Sequence, residues 1–331
     1  MDQFFSAHDI PNLRQALDEA QRIKQFPFEH ETLGKHKTLG LLFFNPSLRT
    51  RLSSQKAAHN LGLQCMVVNA GTESWKMEFR DGAVMDADTV EHIKEGAAVL
   101  GEYCDIIGVR SFAGLTDREQ DEHEEVLHKV QQYSGRPIIS LESALRHPLQ
   151  SFADCITMEE LCKERQITKP KIVLTWAPHP KALPHAVPNS FAEWMNRAVQ
   201  ELHYEFVITH PPGYELAKEF SGSTPIVYSQ AEAMEGADFV YVKNWSSYQT
   251  YGATLPQYNP PTVACPAEWT LTLDKLRTTR QAKVLHCLPT RRNVEIADDV
   301  LDSDHSVVIR EAGNRVVAMQ TILQRMLATL S

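Results

Sequence analysis

Two doubly wound parallel-sheet domains of the α/β class, joined by long helices, are predicted by three observations. Short apolar runs alternate with helix-like stretches along most of the chain. A second series of such runs opens after a long helical stretch in the middle. At 331 residues and 43% hydrophobic the chain can supply two cores, since single cores stop growing near roughly 250 residues. The expected division is 1–146 and 147–311, with a C-terminal helix over 312–331.

Asp9 and Pro11 suit a helix start, Leu13, Leu17 and Ala20 follow at helical spacing, and Pro27 stops the helix. Strands are expected over Thr38 to Phe44, Cys65 to Val68, Ile106 to Val109 and Pro137 to Ile139. Each is bounded by polar or helix-like segments such as Asp121 to Tyr133, the repeat of a parallel sheet covered on both faces. After the helical stretch His147 to Gln166, further strands read as Lys171 to Trp176, Tyr204 to Thr209, Ile226 to Tyr228, Phe239 to Val242 and Val284 to Cys287. Tyr248 to Leu276, with Pro256, Pro260, Pro261 and Pro266, reads as a long irregular loop. The final helix, Arg315 to Leu330, carries Met319, Ile322, Leu323, Met326, Leu327 and Leu330 on one face.

Composition narrows the function. A formal charge of −9 and a pI near 5.9 argue against general binding of nucleic acid or anionic membranes, which needs a basic face. Anionic ligands would have to be caught by local arginines. The six cysteines show no Cys-x-x-Cys pair and no zinc spacing, so they read as reduced thiols with no metal. No basic-then-apolar leader opens the chain and no run approaches the roughly 18 apolar residues of a membrane span. A cytoplasmic protein is the expectation.

Two motifs that would mark a nucleotide enzyme are missing: Gly-x-Gly-x-x-Gly follows none of the expected strands, and there is no Walker loop. A different phosphate site is legible. Phe43-Phe44-Asn45-Pro46-Ser47-Leu48-Arg49-Thr50-Arg51 ends an apolar run, turns at Asn-Pro and opens a helix. Ser47 suits the N-cap, the free N–H groups of the first turn and the positive helix end attract an anion, and Arg49 adds a guanidinium fork matched to phosphate oxygens. Arg110 closes the strand-like Ile106-Ile107-Gly108-Val109, where strand carboxyl ends gather ligands. His147 opens a helix and Gln150 lies one turn on, so both can face one spot.

Ser-x-Arg-Thr-Arg, His147-Pro148-Leu149-Gln150 and His286-Cys287-Leu288-Pro289 form an ordered triple that resembles the aspartate and ornithine carbamoyltransferases over nearly the whole chain. Trp75, the stretch Met85 to His92, and Trp176-Ala177-Pro178-His179-Pro180 resemble the branch acting on N-acylated ornithine. The resemblance implies an active site in the interdomain cleft and transfer of the carbamoyl group of carbamoyl phosphate to an amine, with no metal or organic cofactor. It implies carbamoyl phosphate contacts from Ser47, Leu48, Arg49, Thr50, Trp75, Arg110, His147, Pro148, Leu149, Gln150, Cys287, Leu288 and Arg315. Among these, Arg110, His147, Gln150 and Cys287 are the expected catalytic residues. A helix N-terminus depresses a histidine pKa, so a neutral His147 donating to the carbamoyl oxygen is expected. Cys287 is an ordinary structural cysteine unless a base adjoins it; direct attack by the amine is favoured.

For the second substrate the resemblance implies Val90, Glu142, His179, Lys243 and Arg291. The Asp followed by Ser-Met-Gly that holds the charged α-amine of free ornithine has no counterpart here, where the chain reads Ala237 to Trp245. An acylated nitrogen is uncharged, and a lysine suits carboxylates instead. The position matching Val90 is typically Glu in acetyl-preferring members and Pro in succinyl-preferring ones. Valine removes the repulsion a glutamate would exert on a succinyl carboxylate, which leans toward N-succinylornithine, with N-acetylornithine the alternative. Trp75 and the Val90 loop are implied to serve a neighbouring subunit of a homotrimer. Ordinary ornithine transfer and a non-catalytic phosphate-ligand sensor are the remaining readings.

Overall fold

The computed structural model describes residues 1–253 and 268–330. It divides into two compact units: Met1–Leu149 with Arg315–Ser331, and Gln150–Asn314. The division falls within two helices, Pro148–Arg165 and Val308–Leu330.

In the first unit five parallel strands run in the order Gln3–Phe4, Ile138–Glu142, Ile106–Arg110, Thr38–Phe43, Gln64–Asn69. Strands Ile106–Arg110 and Ile138–Glu142 are buried at every residue, the mark of a sheet covered on both faces. One side is filled by Leu42, Ile107, Val109 and Ile138 from the sheet with Ile93, Ala97, Leu127 and Val130 from helices Ile93–Tyr103 and Glu125–Ser134. These two helices approach so closely that a β-carbon on Gly101 would overlap the backbone carbonyl of Ser134. Gly101→Ala is therefore expected to lower stability by about 1–3 kcal/mol, the usual cost of overpacking. Denaturant unfolding checks this, and an unchanged midpoint would contradict it.

The second unit repeats the plan with parallel strands in the order Ile226–Val227, Glu205–Thr209, Lys171–Trp176, Phe239–Lys243, Lys283–Leu285. Val173, Val240, Val242 and Val284 pack on Met234, Leu271, Leu276, Ile296 and Val300. On the opposite side Phe191 stacks on Tyr241 at 4.0 Å and Phe152 on Trp194 at 5.2 Å.

Three local expectations differ from what forms. The first long helix is Leu13–Gln25, capped by Asn12, whose side chain accepts from Gln15 N–H; Asp9 instead closes a capping box with Ser6 on a short 3-10 turn. The helix expected over Asp121 to Tyr133 is two, Arg118–Glu122 and Glu125–Ser134. Between them Glu124 adopts a left-handed φ of 47° and its carboxylate accepts from Leu145 N–H. The last helix starts at Val308 rather than Arg315. The part of the expected Tyr248–Leu276 loop that holds Pro256, Pro260, Pro261 and Pro266 lies outside the described residues.

Candidate active site

In each unit the chain winds one way from a central strand and then the other, and ligands gather at the carboxyl ends of strands where the order reverses. In the first unit that point lies between Thr38–Phe43 and Ile106–Arg110, paired so that Phe43 is opposite Arg110. The turn after Phe43 delivers Ser47, whose hydroxyl accepts from Thr50 N–H at 3.2 Å and caps helix Leu48–Asn60. Thr50 is fully buried and its hydroxyl accepts from Arg110 Nη1 at 3.2 Å and Arg315 Nη2 at 2.7 Å. A bulge between Val109 and Arg110 sets Arg110 opposite Glu142. Their buried side chains pair at 2.6 Å, and the guanidinium lies over the Phe112 ring at 4.4 Å.

His147, buried immediately before helix Pro148–Arg165, faces the same cluster, with Nε2 3.3 Å from Glu142 Oε2. Burial, together with the charges of Arg315, Arg110 and Arg49, holds its pKa well below 6.5. Three arginines thus converge on one neutral imidazole, a strongly anion-attracting arrangement. The unfolded chain protonates this histidine near its ordinary pKa and the folded chain only far below it. The stability it contributes is therefore present above pH 6.5 and lost as pH falls beneath that value. Trp75 and Val90 sit together elsewhere in this unit: Met77–Glu78 pairs with Glu91–His92, and Val90 N–H donates to Lys76 O at 3.0 Å. Trp75 is 65% exposed and Val90 61% exposed.

In the second unit the reversal lies between Lys171–Trp176 and Phe239–Lys243, where Trp176 pairs with Lys243. His179 follows the first strand, Lys243 ends the second, and His286 to Arg291 follow Lys283–Leu285. The structure brings three of the expected residues together here. Arg291 Nε donates to His179 Nε2 at 3.0 Å, so the His179 proton sits on Nδ1 and is given to Lys181 O at 2.8 Å. Burial, with the charges of Lys243 and Arg291, depresses the His179 pKa and outweighs the opposing Lys181 carbonyl and Glu295. Gln150 is fully buried and its Nε2 donates to Asp154 Oδ1 and to Glu311 Oε1, both at 2.8 Å. With two carboxylates taking the NH2 group, the amide orientation is fixed, and Oε1 is buried with no hydrogen-bond partner among the described residues. Cys287 is half-buried and forms no disulfide, and Leu288 has a left-handed φ of 53°.

Three residues in this unit escaped the sequence reading: Asp154, Glu295 and Glu311. Each is an acidic residue on a helix or turn, a pattern shared with any solvated surface. Glu295 Oε2 accepts from Arg291 N–H at 2.9 Å. Burial alone would raise its pKa, but His286, Lys243 and the Arg291 N–H reverse that and bring it to about 2.

Residues 3–160 match the family described as aspartate/ornithine carbamoyltransferase, carbamoyl-P binding domain, and residues 188–326 match its Asp/Orn binding domain. The chain belongs to the aspartate/ornithine carbamoyltransferase family. This carbamoyltransferase is 49% identical over 332 residues to N-succinylornithine carbamoyltransferase of Bacteroides thetaiotaomicron, with 100% of both chains covered. N-acetylornithine carbamoyltransferase of Xanthomonas axonopodis pv. citri is 35% identical over 310 residues, covering 89% of each chain. Among solved structures, a glutamate-to-valine mutant of N-acetyl-L-ornithine transcarbamylase, complexed with carbamyl phosphate and N-succinyl-L-norvaline, superposes with a TM-score of 0.88 at 33% identity. It covers 98% of this carbamoyltransferase and 100% of that chain. The two-domain parallel-sheet fold is the family's. Among the described residues no helix is long and apolar enough to cross a membrane.

Proposed function

We propose that this carbamoyltransferase transfers the carbamoyl group of carbamoyl phosphate to the δ-amine of N-succinyl-L-ornithine, giving N-succinyl-L-citrulline and phosphate on the route to arginine. The observation that carries the reading is the 49% likeness, over the full length of both chains, to an N-succinylornithine carbamoyltransferase. Val90 supports it. Mutants of N-acetyl-L-ornithine transcarbamylase with one glutamate replaced by serine, valine, alanine or proline are found with N-succinyl-L-norvaline bound, and we place Val90 at that glutamate's position.

Carbamoyl phosphate brings about two negative charges and a carbonyl that must be polarised. The arginines of the first unit, Arg49, Arg110 and Arg315, take the phosphate with Ser47, Leu48 and Thr50 at the helix start. Arg110 also stabilises the leaving oxygen. Neutral His147, with Nε2 3.3 Å from Glu142 Oε2, turns its one N–H from that carboxylate to the carbamoyl oxygen when the substrate binds. Gln150 Oε1 and the backbone carbonyls of Cys287 and Leu288 accept from the carbamoyl NH2, alongside Pro148 and Leu149. Free of its ammonium proton, the δ-amine attacks the carbamoyl carbon directly, the C–O bond to phosphate breaks, and the further proton the nitrogen sheds passes to the departing phosphate. Glu142 orients that amine, while His179, Lys243 and Arg291 hold the carboxylates of the acylated ornithine. Trp75 and Val90, exposed on one segment, reach a neighbouring subunit's site in a homotrimer.

The test is ureido product formation from carbamoyl phosphate and N-succinylornithine across pH. Because His147 is already neutral at 6.5, activity should climb steadily with pH as the amine deprotonates. A break near 6.5 that vanishes on replacing His147 would contradict the neutral-donor role.

A further inference from the structure

A chain of hydrogen bonds in the second unit ties the carbamoyl-facing glutamine to the arginine assigned to the second substrate. Glu311 accepts from Gln150 Nε2 through Oε1 and from His286 N–H through Oε2, each at 2.8 Å. His286 accepts from Leu288 N–H on Nδ1 at 2.9 Å, which leaves its proton on Nε2, 3.3 Å from Glu295 Oε1. Glu295 then accepts from Arg291 N–H through Oε2 at 2.9 Å. Glu311, His286 and Glu295 are at most 1% exposed.

Two buried carboxylates flanking a histidine are costly to desolvate and are not needed to fold a parallel sheet of valines. Each oxygen has a specific donor, and each donor lies on or beside a group that the proposed function assigns to a substrate. We propose that Glu311 and Glu295 are positioning residues for different substrates. Glu311 fixes the amide of Gln150 so that its oxygen faces the carbamoyl NH2, and Glu295 fixes the turn that presents Arg291, with Lys243 close enough to feel its charge. His286 links the two, so both are set by one rigid strand end. The division of labour follows from reach. The hydrogen bonds of Glu311 run to Gln150 and to the His286 N–H, and those of Glu295 run to the His286 ring and to the Arg291 N–H.

This inference rests on the proposed assignment of the two substrates, and steady-state kinetics of two isosteric variants tests it. An amide offers one acceptor oxygen where the carboxylate offered two, so one of the paired donors is left facing an NH2. For Glu295→Gln, KM for N-succinylornithine should rise about tenfold or more, with KM for carbamoyl phosphate held within about twofold. For Glu311→Gln the pattern should invert: KM for carbamoyl phosphate rises and kcat falls, each about tenfold, while KM for N-succinylornithine stays within about twofold. Where either variant fails to fold, Glu295→Asp and Glu311→Asp keep the charge but withdraw it by one methylene, and the same split is expected at smaller size. Parallel rises in both KM values, or unchanged kinetics, would overturn the positioning roles. Wild-type protein that transfers no carbamoyl group to N-succinylornithine would instead overturn the substrate assignment beneath them.

Discussion

Arg110→Ala should lower kcat/KM for carbamoyl phosphate by about a thousandfold or more, since removing one donor to developing charge already costs about 10²–10³. The guanidinium occupies the switch point of the first sheet, donates to Thr50 and pairs with Glu142. Alanine removes the proposed phosphate contact and also leaves a buried carboxylate beside His147 with its cation gone. Breaking a buried pair in this way costs about 3–5 kcal/mol, so a fall in melting temperature should accompany the kinetic loss. Arg110→Lys separates the two effects: it restores charge but not the two-pronged geometry, and should recover stability more fully than rate. Near-normal kcat/KM in a folded Arg110→Ala protein would remove this residue from the mechanism.

The second large effect is expected at Val90. Val90→Glu places a carboxylate where the succinyl chain is proposed to end. Two like charges about 4 Å apart repel by about 1 kcal/mol in water and about 4 kcal/mol near a protein surface, and 1.4 kcal/mol is tenfold. Turnover of N-succinylornithine should therefore fall by about tenfold to a hundredfold. N-acetylornithine, with no second carboxylate, should be spared and become the better substrate. Competition between the two acceptors in one tube reads the ratio directly. An unchanged ratio would mean that another residue reads the acyl group.

What was legible in the sequence follows the range of the interactions involved. The helix start proposed to take phosphate could be read because its parts are adjacent: Ser47 caps the helix whose third residue is Thr50. Glu295 and Glu311 could not be read, because their significance lies in partners far along the chain. Gln150 and Glu311 are 161 positions apart, and nothing in Arg310-Glu311-Ala312 sets this glutamate apart from a solvated one. Competition between neighbours accounts for the smaller differences. Asp9 and Asn12 are both good helix caps, and only the Ser6–Asp9 box decided between them. The helical pattern through Glu124 is unbroken in sequence, yet a tertiary bond to Leu145 N–H accompanies the break there.

The central claim is tested most directly by carbamoyl transfer measured with ornithine, N-acetylornithine and N-succinylornithine offered separately at equal concentration. The acidic ureido product should form fastest from the succinyl compound, more slowly from the acetyl compound and least from ornithine, whose charged α-amine would meet Lys243 and Arg291 while the one assigned carboxylate, Glu142, serves the δ-amine. Fastest turnover of the acetyl compound, or of ornithine itself, would contradict the account.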